Sequence, residues 1–157
     1  MRVVYNQVGQ PIGAQMQLAQ TQAKPHVELY GNSFGGVADK YTLVMVDPDA
    51  PSPSHPTLRN ILHWLVADIP GSTDPSQGQE LIHYMGPAPP EGLHRYVLLL
   101  FKQEPGQLFN KVPEVPESRV AFSLADFVKK YNLGIPVAGY YFRARHVAGC
   151  GNRADEW

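Results

Sequence analysis

The chain is short of three things, and each shortage excludes a class of protein. Cysteine occurs once in 157 residues, at Cys150, so no disulfide can close within the chain and a reducing compartment suits it. The longest purely apolar run, Val97-Leu98-Leu99-Leu100-Phe101, falls far below the roughly 20 residues of a membrane-spanning helix, and Met1-Arg2-Val3-Val4-Tyr5 does not open as a secretory leader. Charge of one sign is also missing: thirteen Lys and Arg against fourteen Asp and Glu leave a formal net charge of −1, with the cations scattered along the chain. A nucleic-acid backbone finds no electrostatic footprint in that balance, so direct DNA or RNA binding is not expected. These features predict a soluble protein without an export signal of its own, in the cytoplasm and nucleus.

What is present fits one domain spanning residues 1–157. A hydrophobic content of 43% supports a sizeable core. Fifteen prolines and fourteen glycines exceed the usual shares of roughly 5% and 7%, and they fall between apolar segments rather than in a low-complexity tail. That punctuation predicts many short strands. Tyr41 to Asp47 reads as a strand buried on both faces and stopped by Pro48. Ile61 to Asp68 reads the same way, with Ile61, His63, Leu65 and Ala67 on one face, Leu62, Trp64 and Val66 on the other, and Pro70-Gly71 closing it. Leu93 to Gln103 alternates so that His94, Tyr96, Leu98 and Leu100 share a face. Shorter strands are expected at Val3 to Asn6, Val27 to Tyr30, Glu80 to Met85 and Val137 to Arg145. One helix starts at Ser123, with Asp126 completing a capping-box pattern, a stripe of Leu124, Phe127, Val128 and Tyr131, and Gly134 and Pro136 ending it. A mainly β domain with a peripheral helix follows.

Chemistry concentrates in the middle of the chain, where Asp47-Pro48-Asp49-Ala50-Pro51-Ser52-Pro53-Ser54 is followed by His63-Trp64 and by Gly92-Leu93-His94-Arg95-Tyr96. The prolines stiffen the first loop, and the Ala50-Pro51 bond is a candidate for the cis form. A histidine inside an apolar strand needs partners for its ring nitrogens, because a buried unsatisfied polar group costs about 1–3 kcal/mol. Asp47, at a neighbouring strand end, could fix the tautomer of one imidazole and leave its other nitrogen facing a cavity; Tyr96 adds a hydroxyl on the face of His94. Several donors around one carboxylate suit a small anion such as phosphate. Two other readings stay open: a satisfied polar network that only sets strand register, and a metal site of Asp47, His63 and His94, as in a metal-dependent hydrolase. Ser52 and Ser54 lack the strand-turn-helix elbow that exposes an activated hydroxyl. His26, His55, His83 and His146 read as surface residues.

At these residues the chain resembles the phosphatidylethanolamine-binding protein family, in its plant Flowering Locus T and Terminal Flower group. Tyr41 to Ser54 with Leu62-His63-Trp64-Leu65-Val66 is similar to the first signature block, Gly92 to Tyr96 to the second, and Tyr131-Asn132-Leu133-Gly134-Ile135-Pro136-Val137-Ala138 to a plant C-terminal signature. Asp68 to Ser76 and Tyr84 to Pro90 most resemble the Mother-of-FT branch, which is associated with seed germination. The resemblance implies a large central antiparallel sheet flanked by a smaller sheet and peripheral helices. It also implies an anion-binding pocket formed by Asp47, Asp49, His63, Pro87, His94 and Tyr96, with no catalytic residues, no metal, no cofactor and no turnover. The implied role is a signalling regulator of flowering or seed germination that binds a phosphate-bearing small ligand or a phospholipid headgroup and works through protein partners such as bZIP transcription factors. The alternative within the family is a phospholipid carrier or a kinase or protease inhibitor, with peripheral lipid contact; a monomer is expected.

Three departures from the family pattern shape these expectations. Relatives usually carry a further segment before Arg2-Val3-Val4-Tyr5-Asn6. Ile61 stands where florigens have tyrosine, antagonists histidine and the Mother-of-FT branch usually tryptophan, so the specificity cue is absent. Glu104 to Val112 lacks the florigen loop sequence, with Gly106 near the position of an arginine that contacts 14-3-3 proteins; Pro70 alone matches that contact set, which weakens the expectation of 14-3-3 binding.

Overall fold

The structure is a computed structural model and describes residues 1–29, 35–36, 38–109 and 118–146. Among these, the strands in chain order are β1 (Arg2–Tyr5), β2 (Val8–Gly9), β3 (Gln15–Met16), β4 (His26–Glu28), β5 (Lys40–Asp47), β6 (Ile61–Pro70), β7 (Gln79–Ile82), β8 (Leu93–Lys102) and β9 (Ala138–Arg145). The helices are a single turn, α1 (Leu18–Thr21), and α2 (Leu124–Lys130), and a 3-10 turn at Pro75–Gln77 leads into β7. A small sheet has the order β2-β1-β4 and a large one the order β3-β9-β8-β5-β6-β7.

The unbroken apolar run of β5 has the cause expected of it: the large sheet is covered on both faces. On one side Val3, Tyr5 and Val27 of the small sheet pack with Leu43, Met45, Trp64, Tyr96, Leu98 and Phe142. On the other, Val44, Val46, Leu65 and Phe101 pack with Phe109, Phe122, Phe127, Tyr131 and Leu133 around α2. Ser123 caps α2 as its sequence suggests, its Oγ accepting from the Asp126 amide at 3.2 Å, and Phe127 is the helix residue buried deepest. Gly134, at φ 67°, takes the left-handed conformation that ends the segment. The Ala50-Pro51 bond is cis, as is Arg59-Asn60.

Several expectations need correction. The large sheet is mixed rather than wholly antiparallel, because the short edge strand β3 runs parallel to β9. The strands β2 and β3 and the turn α1 lack a periodic signal, being too short to show one. β7 ends at Ile82 rather than Met85; beyond it the chain leaves the ladder and keeps one bond, from the Met85 amide to the His63 carbonyl at 2.9 Å. β4 ends at Glu28, and the Tyr30 end of the expected strand lies outside the described residues, as do Asn110 to Val112 of the external loop and Cys150. His26, His55 and His83 are exposed, whereas His146 is half-buried.

The correction that matters most concerns β6. Met45 pairs with Trp64 and Val46 with Leu62, so His63 is an extra residue with no partner across the ladder, a β-bulge. Strict alternation puts His63 with Leu65 and Ala67, which face α2. The bulge resets the phase: Trp64 remains on the small-sheet side, Leu62 turns toward α2, and the His63 ring comes to 5.1 Å from that of Tyr96. A second irregularity nearby falls at Asp68, whose φ is 56°.

Buried Gln103 ties these elements to the external loop. It accepts from Thr42 Oγ1 and the Asp68 amide, both at 2.9 Å, and donates to Asp68 Oδ1 at 2.8 Å and the Gln107 carbonyl at 3.0 Å. Gln103→Leu strips partners from several buried groups at once, and an expected loss of about 2–4 kcal/mol follows, read from the denaturation midpoint at unchanged slope.

Candidate functional site

Asp47 is the last residue of β5 and is 2% exposed. Such a carboxylate must be matched, and His94 at the start of β8 matches it: Nδ1 donates to Asp47 Oδ2 at 2.7 Å. The second His94 nitrogen does not face a cavity, contrary to the sequence expectation. Nε2 donates to the Glu91 carbonyl at 2.8 Å, so both nitrogens point at acceptors and the imidazolium is the form that satisfies both. Burial opposes that charge, but the hydrogen bond and charge of Asp47 outweigh it and raise the His94 pKa above its ordinary value. Gly92 makes the approach feasible, since at φ 85° it carries no Cβ, which would lie 2.9 Å from Pro53 Cδ of the proline loop.

His63 is the opposite case. Nδ1 donates to the Met85 carbonyl at 2.7 Å, and Nε2, fully buried, has no hydrogen-bond partner among the described residues. Desolvation is the main cause that lowers its pKa to about 4, against the pull of the Met85 carbonyl and of Asp47, so the ring is neutral near pH 7 with its lone pair on Nε2. Tyr96 stands between the two histidines, edge-on to His63 and stacked on His94 at 6.4 Å. Burial, and secondarily the charge of Asp47, push its hydroxyl pKa well above the ordinary value.

Of the other expected site residues, Asp49 binds elsewhere. Its Oδ1 accepts from Arg95 Nη2 at 2.7 Å, and its Oδ2 accepts from Arg95 Nε at 2.9 Å and the Arg95 amide at 2.8 Å. Burial works to raise the Asp49 pKa, but the Arg95 hydrogen bonds prevail and lower it. Pro87 is buried two residues beyond Met85, its carbonyl accepting from Gln22 Nε2 at 2.9 Å. Ile61 pairs with Asp47 across the ladder and is 1% exposed, so its side chain is not open to direct contact with a partner. Pro70 is half-buried at the other end of the ten-residue β6, roughly 30 Å from Ile61, and does not join the cluster.

The arrangement therefore differs from several free donors around one carboxylate. Asp47 is balanced by His94 and Asp49 by Arg95, leaving one open nitrogen, an acceptor, on a neutral ring. A metal would find that single nitrogen, and among the described residues no group of three His, Cys, Asp or Glu side chains is placed to hold an ion.

Comparison with known proteins places this geometry. The family model described as phosphatidylethanolamine-binding protein matches residues 6–142. The chain belongs to the phosphatidylethanolamine-binding protein family. It is 42% identical over 153 residues to Protein FLOWERING LOCUS T of Arabidopsis thaliana, covering 98% of this chain and 83% of that one. Protein TERMINAL FLOWER 1 of the same plant is 39% identical over 153 residues with the same coverage, and Protein MOTHER of FT and TFL1 homolog 2 of Oryza sativa subsp. japonica is 46% identical over 107 residues, 68% of this chain and 61% of that one. Among solved structures, a carboxypeptidase Y inhibitor complexed with its cognate proteinase superposes with a TM-score of 0.79 at 27% identity, over 93% of this chain and 82% of that chain. The Plasmodium vivax phosphatidylethanolamine-binding protein shares the fold at a TM-score of 0.74 and 22% identity, over 93% and 85%.

Sequence reasoning missed the backbone half of this family member's cluster. The Met85 and Glu91 carbonyls carry no signal in residue type. Arg119 was also missed: its Nη1 donates to the carbonyls of Leu62 and His63 at 3.0 and 3.1 Å and its Nη2 to that of His83 at 2.8 Å, clamping the bulge to the segment that carries Met85. A lone arginine beyond a loop gives no pattern from which that role could be read.

The two histidines titrate in opposite senses. Below the unfolded value near pH 6.5, the unfolded chain protonates His63 while the native chain resists down to about 4, so stability falls with falling pH by about 3 kcal/mol at most. Above 6.5 the native chain holds the His94 proton that the unfolded chain has lost, so stability falls again as pH rises through the raised His94 value. Glu80, lowered to about 2 by its hydrogen bonds to His83, Lys24 and Trp64 against an opposing desolvation, adds its loss only below the ordinary carboxylate range. Chemical denaturation from pH 4 to 9 in phosphate-free buffer is expected to give a maximum near 6.5, with the acid limb flattened by His63→Gln. A monotonic profile would contradict the protonation states assigned to both rings.

Proposed function

We propose that the protein is a non-enzymatic plant developmental regulator, of the flowering or seed-germination type, that acts through protein partners in the cytoplasm and nucleus and carries an anion pocket at Asp47, His63, His94 and Tyr96. The observation that carries this reading is the convergence of those four side chains, from β5, β6 and β8, into one buried cluster with one unpartnered nitrogen, in a chain 42% identical to FLOWERING LOCUS T. The ligand is a phosphate-bearing group such as a phospholipid headgroup or a phosphorylated side chain. His94, whose nitrogens are both committed, offers no free base to a nucleophile, and the absence of turnover belongs to this reading through the flowering regulators the chain is similar to. With a scattered charge and a net charge of −1, transcription is reached through partners of the bZIP kind rather than by holding DNA.

One observation favours a second reading. The superposition on the carboxypeptidase Y inhibitor at 27% identity supports a role as a protease inhibitor, one branch of the carrier-or-inhibitor alternative. Calorimetric titration of inorganic phosphate into the purified chain separates the two. The regulator reading expects saturable binding that weakens at least tenfold in His63→Ala and His94→Ala variants that keep their folded circular dichroism spectrum. Unchanged phosphate affinity in both variants would remove the cluster from function and leave the outer surface as the place to look.

A further inference from the structure

The face of the large sheet opposite Tyr96 carries a cluster of cations that the anion-pocket reading leaves unused. Along β9, Phe142 and Ala144 are buried on the small-sheet side, so Tyr141, Arg143 and Arg145 point the other way, and all three are exposed. Pairing fixes their neighbours on that face. Arg143 stands opposite Arg95 of β8 on one side and Gln15 of β3 on the other, and Arg145 stands opposite Leu93. Directly opposed residues lie about 5 Å apart at Cβ, so Gln15, Arg143 and Arg95 form a row of hydrogen-bond donors across three strands, with Arg145 two residues along from its middle. Farther along the same face of β8, Val97 and Leu99 are partly buried against the core around α2, whereas the Arg95 side chain is 55% exposed.

Two like charges facing each other across a ladder destabilise it, and the chain offsets only one of them. Arg95 gives its guanidinium to Asp49, with Nε and Nη2 both bonded. Among the described residues no carboxylate pairs with Arg143 or Arg145, and β3, β8 and β9 contain no acidic residue. Arg143 Nε donates to the Gly13 carbonyl at 3.1 Å, which holds the guanidinium at one corner and leaves both Nη groups without a described partner. A guanidinium held in this way loses less freedom when an anion binds.

We propose that this face is a docking site for an acidic protein segment, an extended stretch with carboxylates at alternate positions, held by Arg143 and Arg145 with Gln15 at its edge. Two arginines at i and i+2 of a strand are about 6.5–7 Å apart, the spacing of alternate side chains in another extended chain. Each planar fork takes a carboxylate through two parallel hydrogen bonds. The amount of charge selects this occupant over a larger polyanion. Recognition of an anionic lipid surface takes clusters of roughly 4–8 cations, and a nucleic-acid backbone is commonly held through roughly 6–10 phosphate contacts. Here two uncompensated arginines sit on a chain of net charge −1. A short segment meets the local charge, while salt screens the rest of the molecule from it.

The test is fluorescence anisotropy of a labelled peptide of alternating glutamate and glycine, titrated with the full chain at pH 7 and low salt. Saturable binding is expected, weakened at least about tenfold by Arg143→Glu and by Arg145→Glu. The second variant breaks no described hydrogen bond, so it decides the matter should the first fail to fold. Lys129→Glu on α2 makes the same change in net charge away from the site and is expected to leave the affinity within about twofold. Vesicles containing phosphatidylserine are expected not to sediment the chain under the same conditions. The proposal is overturned by the absence of saturable peptide binding, by an equal loss of affinity in Lys129→Glu, or by equal binding of a peptide with lysine in place of glutamate. Sedimentation with the vesicles that is lost in the two arginine variants would assign the face to a membrane and overturn it as well.

Discussion

A carboxylate that is 2% exposed has to be answered by a positive charge, and the answer given to Asp47 organises the middle of this protein. His94 can meet it only if β8 lies beside β5 and if the turn before β8 brings the Glu91 carbonyl round to the far side of the imidazole. The loop after β5 then has to pass close to that turn, which Gly92 permits. Once the pair is formed, Asp47 and His94 are spent on each other. Whatever reactivity the cluster retains moves to His63, whose neutrality follows from burial without a carboxylate of its own.

The bulge at His63 supplies the second half of the arrangement. One extra residue in β6 turns the imidazole from the α2 side of the sheet to the side where Tyr96 and His94 lie. A bulge breaks ladder bonds, and the freed backbone groups find partners elsewhere: the His63 carbonyl accepts from the Met85 amide and from Arg119, and the Leu62 amide donates to the Arg119 carbonyl at 2.8 Å. Arg119 is thereby a positioning residue. Its three bonds tie the bulge to the segment between β7 and β8 that carries Met85.

Much of the architecture was legible because it depends on local rules. The apolar run of Tyr41 to Asp47 could only be a strand covered on both faces, the alternation of His94, Tyr96, Leu98 and Leu100 survives intact in β8, and the Ser123 cap with Gly134 brackets the helix. The two-residue strands were not legible, because neither periodicity nor propensity can be measured over two residues. Nor was the parallel pairing of β3 with β9, which depends on where the chain returns rather than on what it is made of.

The sequence by itself determined that the protein is mainly β, carries a net charge of −1 and a single cysteine, and delivers Asp47, His63, His94 and Tyr96 to strand ends or strand faces; these follow from residue type, period and composition. Tertiary structure alone decided which histidine meets the carboxylate, that Asp49 goes to Arg95, and that His63 faces Tyr96 at all. The reason is physical. Protonation state is set by the acceptors around each nitrogen, and those acceptors are mostly backbone carbonyls, at Met85 and Glu91, whose positions come from the fold and leave no mark in the sequence.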